Sequence, residues 1–240
     1  MKVNCRFVPS FLEGIDISGK TAIVIDVLRA TTSIVTAFEH GAKAIYPVAS
    51  IEDAFHQYEV HGKQKGVLLA GERDTKIIEG FHLGNSPYEF CTEEIRGSII
   101  ILSTTNGTRA LVKVKEAHLI LVASLLNESA AAARALASGN DVEIICSGDE
   151  LQFSLEDSLC AGLIIKGITS RNPDVELSDS AFAALSMVNQ LGEQITGVIL
   201  NSEHGKTLIQ KGFERDVRFC AQVNNSALVP VCKNNIIALD

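Results

Sequence analysis

The chain has 240 residues, 46% of them hydrophobic, a length that suits one large α/β domain or two small ones with a substantial core. Its formal net charge is −8 and its basic residues form no stripe, which argues against nucleic acid as a partner. The six cysteines are dispersed and no apolar run approaches the roughly 20 residues that span a membrane, so we expect a cytoplasmic protein with reduced thiols and no membrane contact.

Short aliphatic and β-branched runs alternate along the chain with segments of helical periodicity. This alternation predicts βαβ units, and therefore an α/β fold with a largely parallel sheet covered by helices on both faces in three α/β/α layers. The predicted strands cover residues 3–8, 22–27, 44–48, 67–70, 98–102, 119–122 and 142–146. The predicted helices cover residues 32–39, 51–60, 107–115, 128–137, 154–166 and 178–190.

The last third of the chain follows a different pattern. Asn172 and Pro173 mark a loop, so a subdomain boundary near residue 171 is one interpretation. Beyond it the sequence predicts a mixed α+β portion that ends in one or two strands. The interpretation that we adopt is a single domain over residues 1–240, whose final strands complete the main sheet.

One apparent nucleotide-binding motif is expected to be coincidental. The segment GIDISGKT, residues 14–21, matches the P-loop pattern. A P-loop needs a strand before it and a helix after it, so that the backbone amides and the helix dipole face the phosphates. Here the segment leads into a predicted strand instead.

Ligand sites in parallel α/β sheets lie beyond the carboxyl ends of the strands, so the residues after each strand are the candidates. After the strand at residues 22–27, Asp26 stands at the strand end, and Arg29, Thr31 and Thr32 follow at the start of a helix. Hydroxyls, an arginine and free amides at a helix N-terminus predict an anion site. The alternative is a structural turn, in which a threonine caps the helix and Asp26 pairs with Arg29.

A long loop follows the fourth predicted strand. It begins with Gly71, which permits a tight turn, continues with Glu72 and Arg73, and reaches Asn85 and Ser86 before a proline. Loops of this length in compact domains are often functional. The alternative is a surface loop in which the last residues only start a helix.

The fifth predicted strand runs into the polar segment STTNGTRAL. The pair Asn106 and Gly107 can form a tight turn, and Thr104, Thr105 and Thr108 place hydroxyls beside backbone amides where a helix begins. Side-chain and backbone donors together suit the several oxygens of a phosphate group. The alternative is a helix cap with more hydroxyls than it needs.

Acidic residues follow the seventh predicted strand. Asp149 and Glu150 lie in a loop, and Glu156 and Asp157 are adjacent near the start of the next helix. Acidic side chains there also complement the helix dipole, which is the structural alternative. Together with the hydroxyls and arginines at the other strand ends, these carboxylates predict a hard cation, Mg²⁺, that bridges carboxylate and phosphate oxygens.

Histidine contributes little to this interpretation. The six histidines show no metal-ligand spacing, and His118 begins an apolar strand, where a structural role is expected. Only His82, inside the long loop, is a candidate for catalysis.

Five segments, in order across nearly the whole chain, resemble the 2-phosphosulfolactate phosphatases: VIDVLRATTS, GERDTKIIEGFHLGNSPYEF, STTNGTRAL, SLEDSLCAG and GFERDVRFCAQVN. The resemblance implies a Mg²⁺-dependent phosphate monoester hydrolase with a family-specific α/β topology. Its reaction would convert 2-phospho-3-sulfolactate to 3-sulfolactate and phosphate, a step of coenzyme M biosynthesis. The alternatives are a phosphatase of another small phosphorylated hydroxy acid, and a non-catalytic binding protein for a small anionic phosphometabolite.

The same resemblance implies which residues form the active site. They are Asp26, Arg29, Thr31, Thr32, Glu72, Arg73, Asn85, Ser86, Thr104, Thr105, Asn106, Gly107, Thr108, Glu156 and Asp157. It also draws attention to Asp216, which composition gives no reason to mark. The partner is then a small anionic substrate, and the oligomeric state stays open, a homodimer being one possibility.

We assign roles within this set as a hypothesis. Mg²⁺ is held by some of Asp26, Glu72, Glu156 and Asp157. Arg29 and the loop of residues 104–108 bind the phosphoryl oxygens, while Arg73 or Arg109 takes the carboxylate or sulfonate of the substrate. The expected catalytic residues are Asp26, Arg29, Arg73 and Asp157.

Asp26 has two candidate roles. It either ligates Mg²⁺ while a metal-bound water attacks the phosphorus, or it is the nucleophile of an aspartyl-phosphate intermediate. The segment DVLRATT lacks the second aspartate of the D-x-D pattern found in aspartyl-phosphate hydrolases, which favours direct attack by water.

Overall fold

A computed structural model describes residues 1–8, 16–61, 66–149 and 152–240 of the chain. It contains an 11-stranded mixed sheet, mostly parallel, with helices on both faces, so the predicted α/β fold is confirmed. Glu150 and the first two residues of the P-loop-like segment, Gly14 and Ile15, lie outside the described residues.

The strands and helices follow the predicted alternation. The strands are β1 (Lys2–Arg6), β2 (Thr21–Ile25), β3 (Ala44–Pro47), β4 (Val67–Arg73), β5 (Lys76–Ile77), β6 (Ile99–Ser103), β7 (Leu119–Ala123), β8 (Val142–Cys146), β9 (Glu176–Leu177), β10 (Val231–Lys233) and β11 (Ile236–Ala238). The helices are α1 (Ala30–Glu39), α2 (Ile51–Val60), α3 (Gly107–Lys113), α4 (Glu128–Ser138), α5 (Leu155–Arg171), α6 (Asp179–Leu191), α7 (Ile195–Leu200), α8 (Glu203–Gln210) and α9 (Glu214–Cys220).

Every strand and helix predicted from the sequence is present; α2 and β8 have the predicted ends, and the ends of the others are shifted. The largest shift is in α5, which continues to Arg171 instead of residue 166. The sequence did not reveal β5, β9 or the three helices α7 to α9. These elements are too short for their hydrophobic periodicity to be recognised in the sequence.

The sheet consists of two parallel blocks joined by a hairpin. One block is β4, β6 and β3, and the other is β7, β2, β8, β1 and β9. The hairpin β10–β11 lies between them and pairs antiparallel with β7 on one side and with β3 on the other. The strands of the two blocks therefore run in opposite directions, and the C-terminal portion completes the main sheet at its centre.

Helices α1 and α3 lie between the two blocks. One apolar cluster unites them with strands of both blocks, and nearly the whole of α1 is buried. Helices α4, α5 and α6 cover the other face of the larger block, while α2 covers the other face of the smaller one. Within the described residues, no helix has the length and apolarity needed to cross a bilayer.

This arrangement brings the end of β2 against the start of α3. A Cβ atom added at Gly107 would lie 2.9 Å from Oδ2 of Asp26 and 2.8 Å from Cβ of Ala30. Only glycine fits this close approach. The active-site candidates of β2 and of β6 are therefore neighbours, although their strands belong to blocks of opposite direction.

A buried carboxylate joins neighbouring strands of the larger block, away from the active-site candidates. Glu143 of β8 is fully buried and accepts hydrogen bonds from Asn4 (3.0 Å), from Arg6 (3.1 Å) and from Lys20 (2.9 Å). Burial alone would raise the pKa of Glu143, but these hydrogen bonds outweigh it and lower the pKa below the ordinary value of 4.5. The charged form of Glu143 therefore holds β1, β8 and the start of β2 together.

We expect Glu143→Gln to lower the free energy of unfolding by about 2 kcal/mol at about pH 7, because it removes the charge that three donors satisfy. A folded pKa below the unfolded value stabilises the protein above the unfolded pKa, and the stabilisation is lost as the pH falls through the folded pKa. The difference between the two proteins should therefore shrink below about pH 4. Urea unfolding at both pH values measures it, with the exposed Glu176→Gln as the control. An equal difference at both pH values would contradict this account.

Candidate active site

A cavity of about 140 Å³ lies where β2, β4 and β6 end, with α8 as one wall. Its size suits a small molecule rather than a drug-sized ligand. Seven of the residues that the family resemblance implies line it: Asp26, Arg29, Glu72, Asn85, Thr104, Thr105 and Asn106. Its other lining residues are Leu28, Asp74, Thr75, Asp149, His204, Thr207, Leu208 and Lys211.

Asp26 is the buried carboxylate of this cavity. Its Oδ1 accepts a long hydrogen bond of 3.4 Å from the N–H of Ala30, and its Oδ2 accepts none from the described residues. Burial raises the pKa of Asp26 to about 7; His204 acts against this rise, and the carboxylates of Glu72 and Glu156 add to it. Asp26 is thus a desolvated acid with an oxygen that is available to a ligand.

Arg29 is fixed by an ion pair with Asp216 of α9. Its Nη1 lies 2.9 Å from Oδ2 of Asp216, and the Ser86 hydroxyl donates to the other oxygen of Asp216, also at 2.9 Å. The guanidinium lies over the ring of Phe213, 4.4 Å from its centroid. The remaining N–H groups of Arg29 have no hydrogen bond to a described residue, so they are available at the cavity.

The loop of residues 104–108 is organised by its own hydroxyls and by Glu72. One oxygen of Glu72 accepts from the N–H (3.0 Å) and the hydroxyl (2.9 Å) of Thr105, and the other accepts from the N–H of Thr75 (3.1 Å). Thr104 and Thr108 each accept the other's N–H, at 3.2 and 3.3 Å. The hydroxyls thus shape the loop and the first turn of α3, as the capping alternative predicts, and their binding to phosphate stays a prediction.

Asp157 connects two loops of the site. Its Oδ1 accepts the N–H of Val27 at 2.8 Å, and its Oδ2 accepts the N–H of Gly148 at 3.2 Å. Burial, followed by the charges of Asp26 and Glu156, raises the pKa of Asp157 well above its ordinary value. Both oxygens are engaged with backbone amides that position the turn after β2 and the loop after β8.

Glu156 forms a pair with His204, a residue that the sequence analysis missed. Nδ1 of His204 lies 3.2 Å from Oε1 of Glu156, and both side chains are largely buried. Burial alone would raise the pKa of Glu156 and lower that of His204, but their interaction reverses both directions, so the pKa of His204 lies above its ordinary value of 6.5. His204 therefore holds a proton more strongly than an isolated histidine.

His204 belongs to a wall of the cavity that α8 supplies. His204, Thr207, Leu208 and Lys211 follow the spacing i, i+3, i+4, i+7, which places them on one helix face. The spacing can be read in the sequence, but a helix of 8 residues is too short for it to stand out as a periodic pattern. Nothing in the sequence connected it to β2, which lies about 180 residues earlier in the chain.

Other predicted residues do not line the cavity. Arg73 donates to the carbonyl of Glu72 (2.7 Å) and to the carbonyl and hydroxyl of Ser103 (3.2 and 2.9 Å). Arg109 is exposed on α3, and His82 accepts the N–H of Leu69. The remaining residues outside the cavity lining are Thr31, Thr32, Ser86, Gly107, Thr108, Glu156 and Asp157. The proposed roles of all these residues stay predictions.

Thr31 and Thr32 support the turn after β2 rather than the cavity. The hydroxyl of Thr31 donates to the carbonyl of Asp26, and that of Thr32 donates to the carbonyl of Val27, each at 2.8 Å. These bonds fix the backbone from which Asp26 and Arg29 project.

Comparison with known proteins identifies the family. Residues 7–235 match the 2-phosphosulpholactate phosphatase family. The chain belongs to this family. A probable 2-phosphosulfolactate phosphatase of Thermotoga maritima is 41% identical over 92% of each chain. Those of Symbiobacterium thermophilum and Clostridium acetobutylicum are 37% and 35% identical, over 93% and 99% of this chain and 96% and 100% of theirs.

Members of the 2-phosphosulfolactate phosphatase family are phosphoric monoester hydrolases by name, and the cavity around Asp26 is the candidate site of this chemistry. It combines a desolvated carboxylate, a fixed arginine, a loop at the start of a helix and a histidine whose pKa is raised by a neighbouring carboxylate. Phosphoryl transfer depends mainly on positioning and on electrostatic stabilisation, which such groups supply.

In metal-free buffer we expect Asp26→Asn to raise the free energy of unfolding by about 1–2 kcal/mol at about pH 8, because it removes a desolvated charge. The folded pKa of about 7 lies above the ordinary 3.8, so the stability that Asp26 contributes is present below about pH 4 and is lost as the pH rises through about 7. The gain in the free energy of unfolding from Asp26→Asn should therefore appear as the pH rises from about 4 to above about 7.

Urea unfolding with a chelator at about pH 5 and pH 8 measures this effect. The control is Asp53→Asn, the same chemical change at an exposed position of α2. An Asp26→Asn protein less stable than the wild type at the higher pH would contradict the prediction.

Proposed function

We propose that the chain is a Mg²⁺-dependent phosphatase that hydrolyses 2-phospho-3-sulfolactate to 3-sulfolactate and phosphate, a step of coenzyme M biosynthesis. The relatives are named for phosphatase activity on this substrate. The observation that carries the proposal is the pairing of the desolvated Asp26 carboxylate with Arg29 in one small cavity.

The donor atoms of the cavity fit Mg²⁺. Oδ2 of Asp26 and the buried Oδ1 of Asn85 have no hydrogen-bond partner among the described residues, and both side chains line the cavity. Mg²⁺ takes oxygen ligands and usually binds through one or two carboxylates together with water and substrate phosphate. This mode agrees with another observation: nowhere in the described part of the chain do three His, Cys, Asp or Glu side chains form a cluster that could hold a metal.

We therefore assign Mg²⁺ to Asp26 and Asn85, with Glu72 beside them. The bound ion would offset the negative charge of the phosphoryl oxygens and acidify a coordinated water. Asp157 would act by holding the turn on which Asp26 stands, since its own oxygens accept backbone N–H groups. Of the four carboxylates that the sequence suggests as metal ligands, this assignment keeps Asp26 and, beside it, Glu72.

Arg29 would bind the phosphoryl group through the N–H groups that its ion pair leaves free. Asp216, Ser86 and Phe213 fix the guanidinium in one orientation, so little side-chain entropy is lost when it binds an oxyanion. The backbone N–H of Asn106, at the start of α3, would face the same group.

His204 would hold the proton that the leaving oxygen needs. Glu156 engages Nδ1 and raises the pKa of the ring, which favours the form that carries a proton on Nε2 as well. The alkoxide of a hydroxy acid is a poor leaving group until it is protonated, and a positioned acid supplies about 10²–10⁴-fold in rate. His204 and Asp26 line the same cavity, which supports the assignment of His204 as the acid.

The deciding experiment measures phosphate release by the purified chain from 2-phospho-3-sulfolactate, 2-phospholactate and p-nitrophenyl phosphate, with Mg²⁺ and with a chelator. We expect release that requires Mg²⁺ and is fastest with 2-phospho-3-sulfolactate. Asp26→Asn should lower kcat by about 10³-fold or more, because the metal loses its carboxylate, while Asp53→Asn leaves it unchanged. If no compound released phosphate but the esters raised the melting temperature, the chain would be a binding protein instead.

The same enzyme distinguishes the two roles of Asp26. With an ester whose phosphoryl group is made chiral by oxygen isotopes, direct attack by water inverts the configuration at phosphorus, whereas an aspartyl-phosphate intermediate requires two displacements and retains it. We propose direct attack, and retention of configuration would overturn it.

We expect His204→Gln to lower kcat by about 10²-fold for the alkyl ester, but much less for p-nitrophenyl phosphate, whose leaving group needs no proton. The rate should fall as the pH rises through the pKa of His204. Because Glu156 raises that pKa, Glu156→Gln should move this fall to lower pH. The control is His56→Gln, at an exposed position of α2. Equal losses for both esters would show that His204 is not the proton donor.

A further inference from the structure

The basic side chains that line the cavity differ in how far their charge is already compensated. Arg29 pairs with Asp216, and His204 pairs with Glu156. The side chain of Lys211, at the end of α8, forms neither an ion pair nor a hydrogen bond with any residue that the structure describes. It is therefore a cation on the cavity wall whose charge remains available.

The proton of His204 is assigned to the leaving oxygen, and the other residues of the α8 wall leave Lys211 as the donor to a second oxyanion. Leu208 is fully buried and apolar, and the hydroxyl of Thr207 already donates to the carbonyl of Glu203 at 3.0 Å. The sequence offered Arg73 and Arg109 for this task. The guanidinium of Arg73 is engaged with Glu72 and Ser103, and Arg109 does not line the cavity.

The negative charge of the cavity makes the uncompensated ammonium group of Lys211 important. Besides Asp26, the acidic residues Glu72, Asp74 and Asp149 line it. These carboxylates repel any further negatively charged group of a bound ester. Arg29 and a metal at Asp26 would neutralise the phosphoryl group but not that second group. The cavity holds only about 140 Å³ and α8 forms one of its walls, so a group bound there is within reach of a side chain on that wall.

We propose that Lys211 binds the second acid group of the substrate and so selects phosphate monoesters that carry a carboxylate or sulfonate beside the ester. This inference rests on the proposed function and adds the specificity-determining residue. Lysine presents a compact charge with three donors on a flexible stem, which suits an oxyanion at the rim of a site. Lys211 contributes to substrate binding, whereas Asp26 and His204 act on the reacting atoms.

The test compares Lys211→Gln with Lys206→Gln, a matched change on the same helix at an exposed position that does not line the cavity. The substrates are 2-phospho-3-sulfolactate and 2-propyl phosphate, the same secondary ester without acid groups. For Lys211→Gln we expect the KM of the first to rise about tenfold or more at nearly unchanged kcat, since one charge-assisted hydrogen bond is lost. The kinetics with 2-propyl phosphate should not change, and Lys211→Arg should restore most of the affinity.

Binding of 3-sulfolactate, measured by calorimetry, tests the inference without turnover. We expect Lys211→Gln to weaken it about tenfold or more, and Lys206→Gln to leave it unchanged. Equal binding by wild type and Lys211→Gln would overturn the role of Lys211, even if hydrolysis is confirmed. Absence of hydrolysis by the wild type, with 3-sulfolactate binding still dependent on Lys211, would overturn the proposed function alone.

Discussion

The desolvated carboxylate of Asp26 is the constraint on which the rest of the site depends. Burial opposes its ionisation, and Glu72 and Glu156 oppose it further, so the charged form needs a compensating partner. The surrounding structure keeps it in place nonetheless: Thr31 fixes its backbone, and Gly107 leaves room for Oδ2. The charged form of Asp26 is therefore one that a bound cation would stabilise.

Much of the fold could be predicted, because buried parallel strands and amphipathic helices leave clear periodic patterns. The strand-end rule also selected Asp26, Glu72, Asn85 and Thr105 correctly as neighbours of one cavity. Its premise, a single edge shared by parallel strands, does not hold here, since the hairpin β10–β11 reverses the direction of one block relative to the other. The residues meet because α1 and α3 share one core with both blocks.

The parts that the sequence did not reveal depend on long-range contacts and on side-chain direction. His204 and Lys211 lie on a short helix whose position against β2 is fixed only by tertiary packing. Arg29 and Arg73 looked equivalent as arginines after strands. In the structure Arg29 lines the cavity, whereas Arg73 turns to the carbonyls at the ends of β4 and β6. Such differences follow from the alternation of side chains and from local hydrogen bonds, which composition does not encode.

Two buried ion pairs attach the C-terminal helices to the site. Arg29 of the turn after β2 pairs with Asp216 of α9, and Glu156 of α5 pairs with His204 of α8. Pairs of this kind gain little net stability, because the desolvation of both partners offsets their attraction. The more important consequence is that each pair fixes the orientation of one basic side chain of the cavity. Each pair also compensates one acidic group that would otherwise add to the negative charge of the cavity. The C-terminal portion therefore completes both the sheet and the electrostatic balance of the active site.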